Sequence, residues 1–171
     1  MKFEVNTTMD RKTMTAMAKA ARKVMRRKRS LFVRVFGGIV AAMAVFLGLA
    51  RFGGGDVNGW IDIALGLVLL AFILLEDAMN GAFAVRQLGP DNTEVSTTFR
   101  PDGYVNVVST AEGRWPYDKI QAVCETKDYF VLLLGVRQGQ VYDKAGFVEG
   151  TAEEFRSFIS EKTGKPIQYI K

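Results

Sequence analysis

The chain has 171 residues, 49% of them apolar, with 23 basic against 18 acidic side chains; this is room for one modest domain and an anchor. It has no histidine and a single cysteine, Cys124, which excludes an internal disulfide and a thiolate metal cluster and removes the usual general base near neutral pH. The positive charge is local: residues 1–30 hold ten Lys/Arg and two acidic residues, whereas residues 86–171 hold eleven basic and twelve acidic ones. A nucleic-acid reader carries its charge on the folded domain instead, so no nucleic-acid partner is expected.

The N-terminal segment, 1–30, opens with a strand pattern in which Phe3 and Val5 alternate with Lys2 and Glu4. Thr7 and Asp10 read as a capping box. The helix that follows places Met14, Met17, Ala21, Val24 and Met25 on one face and basic residues on the others. Two uses of this helix are open: it lies on anionic headgroups, or it packs its methionines on the C-terminal domain.

Residues 31–88 are expected to form a two-helix transmembrane hairpin with a cytoplasmic extension. Leu31 to Ala50 reads LFVRVFGGIVAAMAVFLGLA, with Arg34 as its sole charge; twenty residues rise about 30 Å, the thickness of a bilayer core. Trp60 to Leu75 is the second apolar run, with Trp60 as an interfacial anchor and Asp62 at the interface. Between them, RFGGGDVNG at 51–59 reverses the chain. Arg22, Lys23, Arg26, Arg27, Lys28 and Arg29 precede the first span and face the membrane surface, while the intervening loop offers only Arg51. The positive-inside rule then places both chain ends in the cytoplasm of a bacterial inner membrane. A cleaved signal peptide, a twin-arginine signal and a buried soluble hairpin fit less well. The basic region is too long, basic residues stand where an apolar stretch should begin, and the rest of the chain is too short to cover two such helices. Small residues recur along the first span at Gly37/Ala41, Gly38/Ala42 and Ala44/Gly48. They admit a close helix neighbour, either the second span or another protein.

Residues 89–171 read as short strands and turns. Gly89-Pro90-Asp91-Asn92 stops the second helix, and Val95, Thr97 and Phe99 then alternate. Turns are expected at Pro101–Gly103, Ala111–Gly113, Lys127–Asp128 and Arg137–Gly139. The strands between them are Tyr104–Ser109, Ile120–Thr126, Tyr129–Val136 and Gln140–Asp143. Alternation around Cys124 marks it as a core thiol. Trp115 and Tyr117 are candidates for an exposed aromatic surface, with a core place the stronger reading for Trp115. Thr151 and Glu154 form a capping box for a last helix whose Phe155, Phe158 and Ile159 face a core, and Gly164 ends it. The fold class is therefore a membrane α-helical hairpin plus an α+β cytoplasmic domain, a bent antiparallel sheet capped by a C-terminal helix in a PH/GRAM-like layout.

The stretch GRWPYDKIQAVCETKDYFVLLLG at 113–135, then VYDKAGF and the terminal helix, resembles the YcxB-like family of small bacterial membrane proteins. Trp115, Ile120, Val123, Glu125, Thr126, Lys144 and Phe147 carry the resemblance. It implies a PH/GRAM-like cytoplasmic domain on a bilayer anchor and brings no catalytic residues with it. No catalytic, cofactor-binding or metal-ligating residues are expected. The glycines at 37–38 and 53–55 are not a phosphate loop, because no GK[ST] follows. The expected function is that of a non-enzymatic regulatory or interaction protein. Its expected partners are the lipid bilayer and either another membrane protein or further copies of itself. The alternative is a stand-alone lipid-sensing or tethering module.

Overall fold

The computed structural model describes residues 2–88, 93–136 and 138–171. Elements follow in the order β1 (Phe3–Thr8), α1 (Arg11–Val24), α2 (Arg27–Gly53), α3 (Gly59–Gln87), β2 (Glu94–Arg100), β3 (Gly103–Val108) and β4 (Ala111–Trp115). Then come β5 (Ala122–Glu125), β6 (Tyr129–Leu133), β7 (Gly139–Asp143), β8 (Phe147–Glu149), α4 (Ala152–Thr163) and β9 (Ile167–Tyr169). They form two units, one of Met1–Met25 with Asp77–Lys171 and one of Arg26–Glu76. The residues of α3 from Asp77 onward thus belong to the first unit.

In the first unit β1 is an interior strand. It pairs antiparallel with β2 (Phe3 opposite Phe99) and with β8, in a sheet ordered β4-β3-β2-β1-β8 among the described residues. Its alternation buries Phe3, Val5 and Thr7 on one side. The N-terminal segment, read from sequence as a piece of its own, therefore divides. Residues up to Met25 share a core with the C-terminal half, because β1 has no stable existence without the neighbours that satisfy its backbone.

The second sheet has the order β7-β6-β5-β9, with β5 and β9 parallel and the other pairs antiparallel. Both of its faces are covered. Val123, Phe130, Leu132 and Tyr142 face a core shared with Phe3, Phe99 and the α4 residues Phe155, Phe158 and Ile159. Their neighbours Ala122, Cys124, Val131, Leu133 and Val141 face the other way, onto Ala20, Met17, Ala21, Val24 and Met25 of the α1 region. A sheet buried on both sides needs apolar residues at every position, which is why YFVLL is an unbroken run rather than an alternation. Phe155 joins the layers, with edge-on ring contacts to Phe3 (5.6 Å), Phe99 (4.7 Å) and Phe130 (5.1 Å).

Several sequence expectations shift in register. The cap of α1 is Asp10 with Thr13, not Thr7: Asp10 Oδ1 accepts from Thr13 N at 2.8 Å and Thr13 Oγ1 accepts from Asp10 N at 2.7 Å, while Thr7 is buried in β1. The turn expected at Ala111–Gly113 lies at Ser109–Thr110, and 111–113 pair with β3 as part of β4. Trp115 is half-buried against the core, and Tyr117 is buried with its hydroxyl donating to Arg100 O at 2.6 Å, so Tyr117 is no exposed aromatic. The capping box at Thr151 and Glu154 forms, and Gly164 closes α4 in the left-handed conformation at φ 63°. The stop at 89–92 and Arg137 lie outside the described residues.

In the second unit α2 and α3 are both long and apolar enough to cross a membrane. They run antiparallel at close approach. A Cβ on Gly48 would meet Gly59 O and Ile63 N at 2.7 and 2.8 Å, and one on Gly66 would meet Ala41 O at 2.8 Å. Glycine is required there because the partner is backbone and cannot swing aside. Ion pairs close the two ends: Arg34 with Glu76 at 3.7 Å, and Arg51 with both Asp62 and Asp56 at 2.8 Å. The outer faces are lined with exposed apolar side chains such as Phe32, Phe46 and Leu74.

Candidate functional site

The first unit carries a groove of ≈ 910 Å³ between α1, the β5–β6 turn and the residues that follow β9. Its local origin is the capped start of α1. Helical spacing puts Arg11, Thr15 and Lys19 on one edge, and Lys12 and Ala16 beside them. The opposite wall is the tight turn Lys127–Asp128, held by Thr126, whose backbone N–H and Oγ1 hydroxyl both bond to Tyr129 O. Tyr129, Tyr169 and Ile170 supply apolar surface, and Tyr169 is exposed.

Beneath the turn lies Glu125, only 3% exposed. Arg156 of α4 grips it with two bonds, Nε to Oε2 at 2.9 Å and Nη2 to Oε1 at 2.8 Å. Lys144 adds a third to Oε1 at 2.7 Å and also donates to Thr126 O and Lys127 O. Hydrogen bonding by Arg156, then by Lys144, holds the Glu125 carboxyl below the ordinary carboxylate range, against the burial that raises it. This cluster is a structural pin: one carboxylate ties β5, α4 and the loop after β7 together. Sequence reasoning marked Glu125 and Lys144 as separate positions and passed over Arg156. The signal was a lone acidic residue inside the apolar strand AVCE, which needs cationic partners once buried.

With Lys144 committed to Glu125, the groove keeps Arg11, Lys12, Lys19 and Lys127, none of which makes a side-chain hydrogen bond or ion pair among the described residues. Asp128 is the other carboxylate in the lining. The groove is thus a cationic rim around an apolar floor.

The basic run expected at a membrane surface divides. Arg22 is buried and bonded to Asp77, and Lys23 donates to Lys171 O at 2.7 Å. Arg26 is half-buried, while Arg27, Lys28 and Arg29 are exposed on the first turn of α2. The small-residue set divides too. Gly37, Ala41 and Gly48 turn toward α3, since a Cβ on Gly37 would meet Ile73 at 2.9 Å and Ala41 and Gly48 are buried. Ala44 is half-buried. Gly38 has nothing within 4 Å of its Cβ position, and Ala42 is exposed.

Elsewhere the reactive groups are closed off. Cys124 is fully buried and its thiol is pushed up to about 11 by desolvation. Burial also raises the Tyr104, Tyr117 and Tyr142 hydroxyls. Among the described residues no group of three or more His, Cys, Asp or Glu is placed to hold a metal ion.

No curated protein and no solved structure matches the chain. A family model described as YcxB-like protein matches residues 99–159, the stretch from the end of β2 through most of α4 that contains Glu125, Lys144 and Arg156. Residues 99–159 of the chain are therefore similar to the YcxB-like family.

Proposed function

We propose that this is a membrane-anchored regulatory or interaction protein without chemistry of its own, acting with another membrane protein. In this reading α2 and α3 cross a bacterial inner membrane, and the basic residues Arg27, Lys28 and Arg29 keep both chain ends on the cytoplasmic side. The first unit is then a PH/GRAM-like domain: β2 to β8 followed by α4 is the element order such a domain has, with β1 and β9 added to its sheets. Fold alone does not assign an activity.

The observation that carries the proposal is the face of α2 at Gly38 and Ala42. It keeps the small-residue spacing, with nothing within 4 Å of the Gly38 Cβ position among the described residues and Ala42 exposed, while the sister residues Gly37, Ala41 and Gly48 are used within the hairpin. A second helix can approach there at backbone distance. Among the described residues the thiol and the buried tyrosines are held protonated and Glu125 is ion-paired in place.

The test is purification from native membranes in mild detergent, comparing the wild-type chain with Gly38→Leu/Ala42→Leu. A stoichiometric membrane protein present with the wild type and lost from the variant is the expected result. Identical accompanying proteins in both samples would overturn the reading. A second reading, a lipid-responsive module, is favoured by the cationic groove.

A further inference from the structure

We infer that the groove between α1 and the β5–β6 turn binds the headgroup of an anionic phospholipid. The inference rests on the membrane-anchored reading, which supplies the lipid, and it names a site and a ligand class for the second reading above.

Charge is the first argument. Arg11, Lys12, Lys19 and Lys127 line one concave surface and make no side-chain ion pair among the described residues, with Asp10 within electrostatic reach of Lys12. Basic side chains gathered on one concave surface repel one another, an arrangement that a bound anion relieves. Glu125 is already saturated by Arg156 and Lys144, and the nearby Asp10 and Asp128 offset the four basic side chains only in part. The first turn of α1 contains no acidic residue.

The floor is the second argument. Ala16, Tyr129, Tyr169 and Ile170 give the groove an apolar base beneath its cationic rim. A free phosphate ester has nothing to place on that base, whereas a phospholipid brings a phosphate for the rim and glycerol with the upper acyl chain for the floor. Long basic side chains suit this, since their stems lie on apolar surface while their heads reach the phosphate. The volume, ≈ 910 Å³, lies within the usual range for small-molecule pockets.

The test is native mass spectrometry of the full chain in a zwitterionic detergent, titrated with phosphatidylglycerol and with phosphatidylcholine. Wild-type protein is expected to prefer phosphatidylglycerol by about tenfold or more, as several charge-assisted bonds together provide. Lys19→Glu/Lys127→Glu should abolish the preference, and Lys119→Glu/Lys165→Glu, equal in charge change but outside the groove, should retain it. Equal binding of the two lipids, or a preference that survives Lys19→Glu/Lys127→Glu, overturns the inference. Displacement of phosphatidylglycerol by an equal concentration of glycerol 3-phosphate also overturns it, since the ligand would then be a soluble phosphate ester. Alkaline carbonate extraction of native membranes tests the underlying reading separately. A chain released by carbonate is not anchored, whatever its lipid preference; a retained chain with no preference sinks only the groove.

Discussion

Arg22 grips Asp77 through two parallel hydrogen bonds, Nε to Oδ1 and Nη2 to Oδ2, both 2.7 Å long. Fifty-five residues separate them, and the side chains keep only 10% and 15% of their surface. The bond pins α1 to the stretch of α3 that belongs to the same unit. Removing one partner strands the other charge with little water, at a cost of about 3 kcal/mol. We expect Asp77→Asn in mild detergent to lower the thermal midpoint clearly. An unchanged midpoint would mean that this pair contributes nothing to docking α1.

The Glu125 cluster predicts an acid-sensitive domain. Its carboxyl sits below the ordinary value of 4.5 in the folded protein, so the stabilisation is fully present above that value and is lost as pH falls through the lower folded value. Wild-type protein should therefore lose stability on acidification below about pH 4.5. Glu125→Gln should cost about 2 kcal/mol at pH 7 and flatten that part of the profile. Denaturant unfolding between pH 7 and pH 3 checks both, and parallel profiles for the two proteins would count against the pin.

Cys124 should ignore thiol reagents in the native protein. It is fully buried between β5 and α1, and its thiol is raised to about 11. Labelling with a maleimide at pH 7 is expected to be negligible before denaturation and complete after it. Rapid labelling of folded protein would show that α1 leaves the sheet readily.

Two glycines give opposite expectations for the same substitution. A Cβ on Gly81 would lie 2.6 Å from Thr15 N and 2.9 Å from Thr15 Cα, so Gly81→Ala forces α1 and α3 apart and costs about 1–3 kcal/mol. Gly38→Ala meets nothing within 4 Å and should be neutral or gain up to about 1 kcal/mol from helix propensity. Melting curves of the two variants decide it; equal effects would contradict the close crossing at Gly81.

A fluorescent reporter fused after Lys171 should fluoresce in whole cells, and a cysteine placed at Asn58 should react with a membrane-impermeant reagent from outside. The reverse pattern would overturn the proposed orientation.

Sequence alone determined what local pattern and composition dictate. The two apolar helices, the alternation that makes β1 and β2, the cap at Thr151 and the interior place of Cys124 all follow from period, length and residue type. These properties belong to short windows of chain, and the YcxB-like stretch was readable for the same reason. Tertiary structure decided what joins distant windows. It put β1 in the interior of a sheet with partners about ninety and one hundred and forty residues away. It added β9 parallel to β5, and it turned Arg22 from the expected membrane surface onto Asp77. It also split the small residues of α2 into a packed face and an open one, and assembled the cationic groove from four separated segments. None of these is written in any single window, because each depends on which buried charge finds which partner and which backbone finds room to approach.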